Sequence, residues 1–341
     1  MVKMNPIKVY RGQYLESTHD FHAAVVDKEG RLLYSYGNPE RNTFARSSMK
    51  PFQAIPLIET GAAEHYNYGA REIAISCASH SGEDFHRETV QDVLDRIDLK
   101  VNDLQCGMHP PKNDEDYKAL LRSGGDLTPL YSNCSGKHSG MLATAVHMHE
   151  DYKTYRDIDH PVQQRIIRAI SEVCNTPIEA IDLGVDGCGV PVHRLPLKQT
   201  AYGYAQLAAG QSTTEPERSQ TLQMIRDAMM AYPEMVAGTD CFDTDFMKMF
   251  PGKVVSKGGA EGVQCFGLVE EGLGFIIKCE DGNPRALSAI TLKILEDLGF
   301  VSDELKATAL YQKYRIPTVK NMRKDNIGDI EVDFELKKEN E

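Results

Sequence analysis

His22-Ala23-Ala24-Val25-Val26-Asp27-Lys28-Glu29-Gly30-Arg31-Leu32-Leu33-Tyr34-Ser35-Tyr36 is the stretch from which the architecture can be read. Two runs rich in apolar and aromatic residues flank the polar Lys28-Glu29-Gly30, where glycine supplies the turn, and this is the signature of an antiparallel hairpin. Gly262 to Glu270 and Gly274 to Glu280 flank Glu271-Gly272-Leu273 in the same way near the other end of the chain. Ile7 to Arg11 reads as a further short strand. A chain that opens and closes in hairpins predicts an α+β protein, with an antiparallel sheet built from both chain ends and helices flanking it and inserted between them.

The middle of the chain carries the helices. They are expected over Pro51 to Glu59 (ending at Gly61), Glu83 to Ile97, Asp114 to Arg122, Ser139 to Glu150, Pro161 to Val173 and Pro216 to Met230, with a later one over Arg285 to Leu298. Ile166, Ile167 and Ile170 fall on one face at helical spacing. Apolar runs at Ile73 to Cys77, Ile181 to Val185 and Val254 to Gly259 read as short strands. The tail alternates Ile330, Val332 and Phe334, which predicts an edge strand. With no tandem repeat or low-complexity linker, the expectation is one domain over residues 1–341. Within it a helical subdomain of roughly residues 85–250 faces the sheet across a cleft.

The 341 residues hold 38 Lys plus Arg against 50 Asp plus Glu, a net charge of −12. That balance is poor for a nucleic-acid backbone or an anionic membrane surface, and favours a small substrate. No run reaches the apolar length of a membrane span and the first residues lack a secretory h-region, so a cytoplasmic protein is expected. The eight cysteines, scattered along a chain this long, read as reduced thiols.

Five segments carry reactive side chains. Arg46-Ser47-Ser48-Met49-Lys50-Pro51 places Ser47 and Lys50 three residues apart, on one helical face, where a lysine of depressed pKa can act as base for a hydroxyl. The spacing matches the S-x-x-K of penicillin-recognising enzymes, although a helix cap with Lys50 in solvent would give the same letters. Cys77-Ala78-Ser79-His80-Ser81-Gly82-Glu83 lies between an apolar run and a helix, at a turn that aims backbone N–H groups and hydroxyls into a cleft; Ser81 there also fits a helix cap. Ser256-Lys257-Gly258-Gly259 ends a strand and is similar to K-T-G, where a strand-borne lysine faces the nucleophile, unless Lys257 is only a turn lysine in solvent. Asn133-Cys134-Ser135-Gly136-Lys137-His138-Ser139-Gly140 and Val185-Asp186-Gly187-Cys188-Gly189-Val190-Pro191 bring thiols, a histidine and a carboxylate into two glycine-rich loops. Packed thiols are one reading of them; zinc ligation is the other, and on spacing Cys134 and His138 would share a helical face. Arg46 is a candidate for a substrate carboxylate through its bidentate guanidinium, or else a surface ion pair.

Taken in order, these five segments resemble the Rhizobium-type L-asparaginase family, the thermolabile asparaginase II group, over roughly Val9 to Leu298. The resemblance implies a fold like that of serine β-lactamases and penicillin-binding proteins, hydrolysis of L-asparagine to L-aspartate and ammonia, and a homodimer. It implies two serine–lysine tandems, Ser47 with Lys50 and Ser79 with Lys257. It also implies a zinc ion held by Cys134, Lys137 and Cys188, with His138 and Asp186 close by as further substrate-binding candidates. The absence of a clean S-D-N sets the chain apart from penicillin-directed enzymes, and it lacks the glycine-threonine start of the two-threonine asparaginases. A serine amidohydrolase for glutamine or β-lactam-like amides, and an inactive zinc-binding regulatory protein, are the rival readings. Ammonia release from asparagine and glutamine separates all three.

Overall fold

The computed structural model describes residues 5–213 and 215–339. Its strands are β1 (Ile7–Arg11), β2 (Tyr14–His19), β3 (Phe21–Asp27), β4 (Leu32–Tyr36), β5 (Asn42–Phe44), β6 (Asp182–Val185) and β7 (Pro191–Pro196). They continue with β8 (Val254–Gly259), β9 (Val263–Leu268), β10 (Leu273–Cys279), β11 (Thr318–Lys320), β12 (Asn326–Val332) and β13 (Lys337–Lys338). Every pairing is antiparallel. The central sheet has the order β13-β4-β3-β10-β9-β8, so the two hairpins meet where β3 pairs with β10, Val25 opposite Phe275.

This sheet is covered on both faces, and the strands show it. Ala24, Val26, Val263, Cys265 and Ile276 point into a core shared with the helical block. Phe21, Ala23, Val25, Phe266, Phe275 and Ile277 point into a second core under the helix Leu287–Asp297. A sheet buried on both sides needs apolar residues at successive positions rather than strict alternation. The helix Leu197–Ala209 lies directly on the sheet. At Gly274 a Cβ would sit 1.9 Å from the Ala201 carbonyl oxygen, so only glycine lets that helix backbone approach β10.

Two smaller sheets complete the fold, β11-β12-β1-β2 and β5-β7-β6. The tail does form a strand in which Ile330 and Val332 are buried, but β12 lies between β1 and β11 and is not an edge; the edge role falls to β11. Ile73 to Cys77 is a further correction: it belongs to the helix Ala70–Ser76, buried from Ile73 to Ser76. A short apolar run carries no period that separates a strand from a helix packed on all sides. The expected helix over Pro51 to Glu59 is broken into a 3₁₀ turn Arg46–Met49 and the helices Lys50–Gln53 and Ile55–Glu59. Pro51 and Pro56 each lack the N–H that a continuous ladder would require.

Candidate active site

A cavity of about 490 Å³ opens between the central sheet and the helical block, and Ser47, Ser79, Lys112, Asn133, Asp243 and Lys257 all line it. Lys257 comes from β8 on the sheet side, while Ser79 follows the helix Ala70–Ser76 on the other. Ser79 therefore sits on a loop between two helices, not at the strand-to-helix turn expected from sequence. Its backbone N–H is held by the Val236 carbonyl at 2.9 Å.

Lys50 is fully buried at the start of its helix. Its Nζ donates to Ala78 O at 2.5 Å, Ser79 Oγ at 2.9 Å and Asn133 O at 3.4 Å. Ser47, three residues away on the same short helical stretch, is not among these partners. The lysine of the first tandem thus reaches the serine assigned to the second. Burial pushes the Lys50 amine below the ordinary lysine value, and the ammonium of Lys137 pushes the same way. As an ammonium, Lys50 fills all three acceptors; as a neutral amine it would still donate to the two carbonyls and turn its lone pair on the Ser79 hydroxyl.

Lys257 is 1% exposed and is lowered to about 8 by burial, against the opposing pull of Asp243. Its Nζ donates to Gly258 O at 2.6 Å and lies 3.9 Å from Asp243 Oδ2. Asp243 accepts from Ser256 Oγ at 2.7 Å, Gly258 N–H at 2.7 Å and Gln264 Nε2 at 2.8 Å, and so grips the strand on both sides of Lys257. A Cβ at Gly259 would meet Ala45 O at 2.6 Å, so glycine there lets β8 close on the 3₁₀ turn that carries Ser47. Arg46, just before Ser47, holds φ at 53°, a left-handed conformation that costs a non-glycine residue about 1–2 kcal/mol. Such strain is often found beside functional groups.

Behind Lys50 lies the thiol cluster. Cys134 caps the helix Ser135–His147, and Cys188 sits in the tight turn joining β6 to β7. A hydrogen bond from Cys188 holds Cys134 well below the ordinary thiol value, helped by the charges of Lys50 and Lys137; the same bond pushes Cys188 up. Lys137 Nζ is 3.1 Å from Cys188 Sγ. Burial opposes its charge, but Cys188, Cys134 and Asp186 outweigh burial and raise it. Arg46 Nε donates to Asp186 Oδ1 at 2.8 Å, and Cys188 Sγ lies 3.7 Å from the other carboxylate oxygen. His138 is fully buried, with Nδ1 2.5 Å from Tyr155 Oη and Nε2 without a partner among the described residues. Burial, with Lys137 and Lys50 nearby, keeps its imidazole neutral.

Among the described residues no three His, Cys, Asp or Glu side chains converge as a metal site. The donors that do converge are two thiols and one amine. That set suits a borderline-soft cation such as zinc, provided Lys137 gives up its proton. Asp243, Lys112, Gln264 and Tyr155 were not anticipated from sequence. Asp243 reads as one of two carboxylates in the first turn of the helix Phe242–Met249, and Lys112 as an unremarked lysine after two prolines.

The family model described as L-asparaginase II matches residues 7–332, nearly the whole chain. The chain belongs to the L-asparaginase II family. It is accordingly an amidohydrolase with a small amide as substrate. No curated protein matches its sequence. Solved structures similar to this asparaginase-family chain include Mglu in its L-glutamate binding form, with 14% identity over 82% of this chain and 60% of that one, at a TM-score of 0.45. The chain thus spans about three fifths of that protein. A beta-lactamase from Mycobacterium bovis matches at 12% identity over 81% of this chain and 94% of that chain, TM-score 0.41. D-alanine carboxypeptidase AmpC from Burkholderia cenocepacia matches at 16% over 77% and 88%, TM-score 0.34. Scores of this size transfer neither reaction nor detailed fold. No helix among the described residues is long and apolar enough to cross a membrane.

Proposed function

We propose that the protein hydrolyses the side-chain amide of L-asparagine to L-aspartate and ammonia, with Ser79 as the attacking hydroxyl and Lys50 as its base. The observation that carries this reading is the 2.9 Å contact of Lys50 Nζ with Ser79 Oγ at the wall of the cavity. That distance is within direct proton-transfer reach. Neutral Lys50 takes the Ser79 proton as Oγ bonds to the amide carbon, and returns it to the leaving nitrogen, which departs as ammonia. Water, deprotonated by the same amine, then cleaves the ester and regenerates Ser79. Lys257 and Ser47 line the same cavity and act on the bound amide from the sheet side, Lys257 carrying a second proton site near neutrality.

Cys134, Lys137 and Cys188 are the residues that would hold zinc, with His138 and Asp186 beside them. When bound there, zinc supplies Lewis acidity next to Lys50. The Arg46 pair with Asp186 ties the Cys188 turn to the 3₁₀ turn of Ser47, so the two halves of the site keep one register. A serine β-lactamase-like fold is supported by the antiparallel central sheet built from both chain ends with flanking helices. The family resemblance implies a homodimer, which sedimentation of the purified protein tests.

The experiment is coupled measurement of ammonia from L-asparagine and L-glutamine with wild type, Ser79→Ala, Lys50→Ala and the double variant. Turnover of asparagine, lost about equally in all three variants, is expected of members of one catalytic unit. Near-normal turnover by folded Ser79→Ala would refute the assignment, and preference for glutamine would refute the substrate.

A further inference from the structure

We propose that Lys112 is the cation that receives the α-carboxylate of the amino-acid substrate, and so sets the preference for amino-acid amides over simple amides. The inference rests on the asparaginase reading above and names a residue that neither the motifs nor the family resemblance singles out.

An asparagine held with its amide carbon at Ser79 Oγ presents a carboxylate a few bonds away, and the site must offer it a positive partner. Five cations lie in or near the cavity, and of these Lys137 is buried behind Lys50 with its amine 3.1 Å from Cys188 Sγ. Lys50 already has three acceptors and is needed at Ser79. Lys257 is engaged with Gly258 O and Asp243. The Arg46 Nε is bound to Asp186, and Arg46 does not line the cavity. Lys112 is different. Lys112 lines the cavity, its Nζ makes one hydrogen bond, to Ser79 O at 3.3 Å, and among the described residues no carboxylate lies within ion-pair distance of it. Two of its three N–H groups are left for a ligand.

The length also fits. The Ser79 carbonyl oxygen and hydroxyl belong to one residue and are roughly 3–4 Å apart, so Lys112 Nζ stands within about 7 Å of the attacking oxygen. The amide carbon and carboxylate carbon of asparagine are separated by two carbons, a span of about 4 Å, and a contact of about 3 Å at each end, set at an angle to that span rather than in line with it, brings the two anchoring atoms to about 7 Å. The root of the side chain is restrained, since Lys112 N–H donates to Ser81 O at 3.1 Å and Pro110 and Pro111 stiffen the preceding backbone. A lysine held at its backbone, with an amine that has no carboxylate partner among the described residues, is suited to bind an anion at modest ordering cost.

The test compares L-asparagine with 3-aminopropanamide, which is asparagine without its carboxylate, using wild type, Lys112→Met, Lys112→Arg and Arg46→Met. Wild type is expected to favour asparagine in kcat/KM by tenfold or more. Lys112→Met should lose most of that preference through KM for asparagine, affect 3-aminopropanamide much less than asparagine, and be partly rescued in Lys112→Arg. Because Lys112 is exposed, the variant is expected to fold. A preference retained in Lys112→Met, or abolished in Arg46→Met alone, would overturn the assignment while leaving the asparaginase reading intact. Failure of wild type to release ammonia from asparagine would overturn that reading and the role of Lys112 with it.

Discussion

Replacing Lys257 by methionine should make the protein more stable and less active, and the gain in stability should depend on pH in a way that identifies its origin. Lys257 is 1% exposed and titrates at about 8, against an ordinary 10.5. At about 1.36 kcal/mol per pH unit, keeping its proton in the fold costs about 3 kcal/mol at pH 7. The folded protein releases that proton near pH 8 and the unfolded chain only near 10.5. In that window the unfolded chain binds more protons, and stability rises with pH. The cost falls to about 1 kcal/mol by pH 10. Methionine matches the length of the lysine stem without the charge; losing the bond to Gly258 O offsets about 1 kcal/mol of the gain. Urea unfolding should therefore find Lys257→Met more stable by about 2 kcal/mol at pH 7, an advantage gone by pH 10, while kcat/KM falls at least tenfold. A stability difference that is the same at pH 7 and pH 10 would show that Lys257 carries no buried charge, and the reasoning would fail.

Asp243→Asn should lower the value at which Lys257 gives up its proton below about 8, by about half a unit or more, because Asp243 is the main group holding that proton in place; the pH dependence of stability reads this as a rise that begins at lower pH than in wild type, and an unmoved rise would make Asp243 purely structural. Metal analysis of the purified protein should give about one zinc per chain, falling at least tenfold in Cys134→Ser and Cys188→Ser, with binding weakening as pH drops because the thiols and amine must shed protons; equal zinc in all three proteins would refute the site. Gly274→Ala should lower the urea midpoint by the equivalent of about 1–3 kcal/mol, since its Cβ would fall 1.9 Å from Ala201 O; a midpoint within error of wild type would show that the helix Leu197–Ala209 can slide off β10.

Much of the scaffold was legible in the sequence because it rests on local chemistry. The turns at Lys28-Glu29-Gly30 and Glu271-Gly272-Leu273 each join strands that do pair, β3 with β4 and β9 with β10. Ile166, Ile167 and Ile170 are buried on one face of the helix Pro161–Val173, as their spacing requires. Ser47, Ser79 and Lys257, which only the family resemblance places in one site, line one cavity. Ile73 to Ser76 was not legible as a helix, because a run buried on every side has no polar face to mark its period. The tail's alternation showed that one face of β12 is buried, but not that β11 would cover its free edge.

Local chemistry along the chain thus fixes which segments pair with their neighbours and which reactive side chains are available. Which serine meets which lysine depends on how distant segments pack. Spacing puts Ser47 and Lys50 on one face, but a lysine carries its amine at the end of four carbons. Buried at the start of its helix, Lys50 sends that amine across to Ala78, Ser79 and Asn133, 28 to 83 residues away, where carbonyl oxygens and a hydroxyl await it. A fully buried amine goes where its hydrogen bonds can be satisfied, and those partners are placed by the packing of three helices and not by any spacing along the chain.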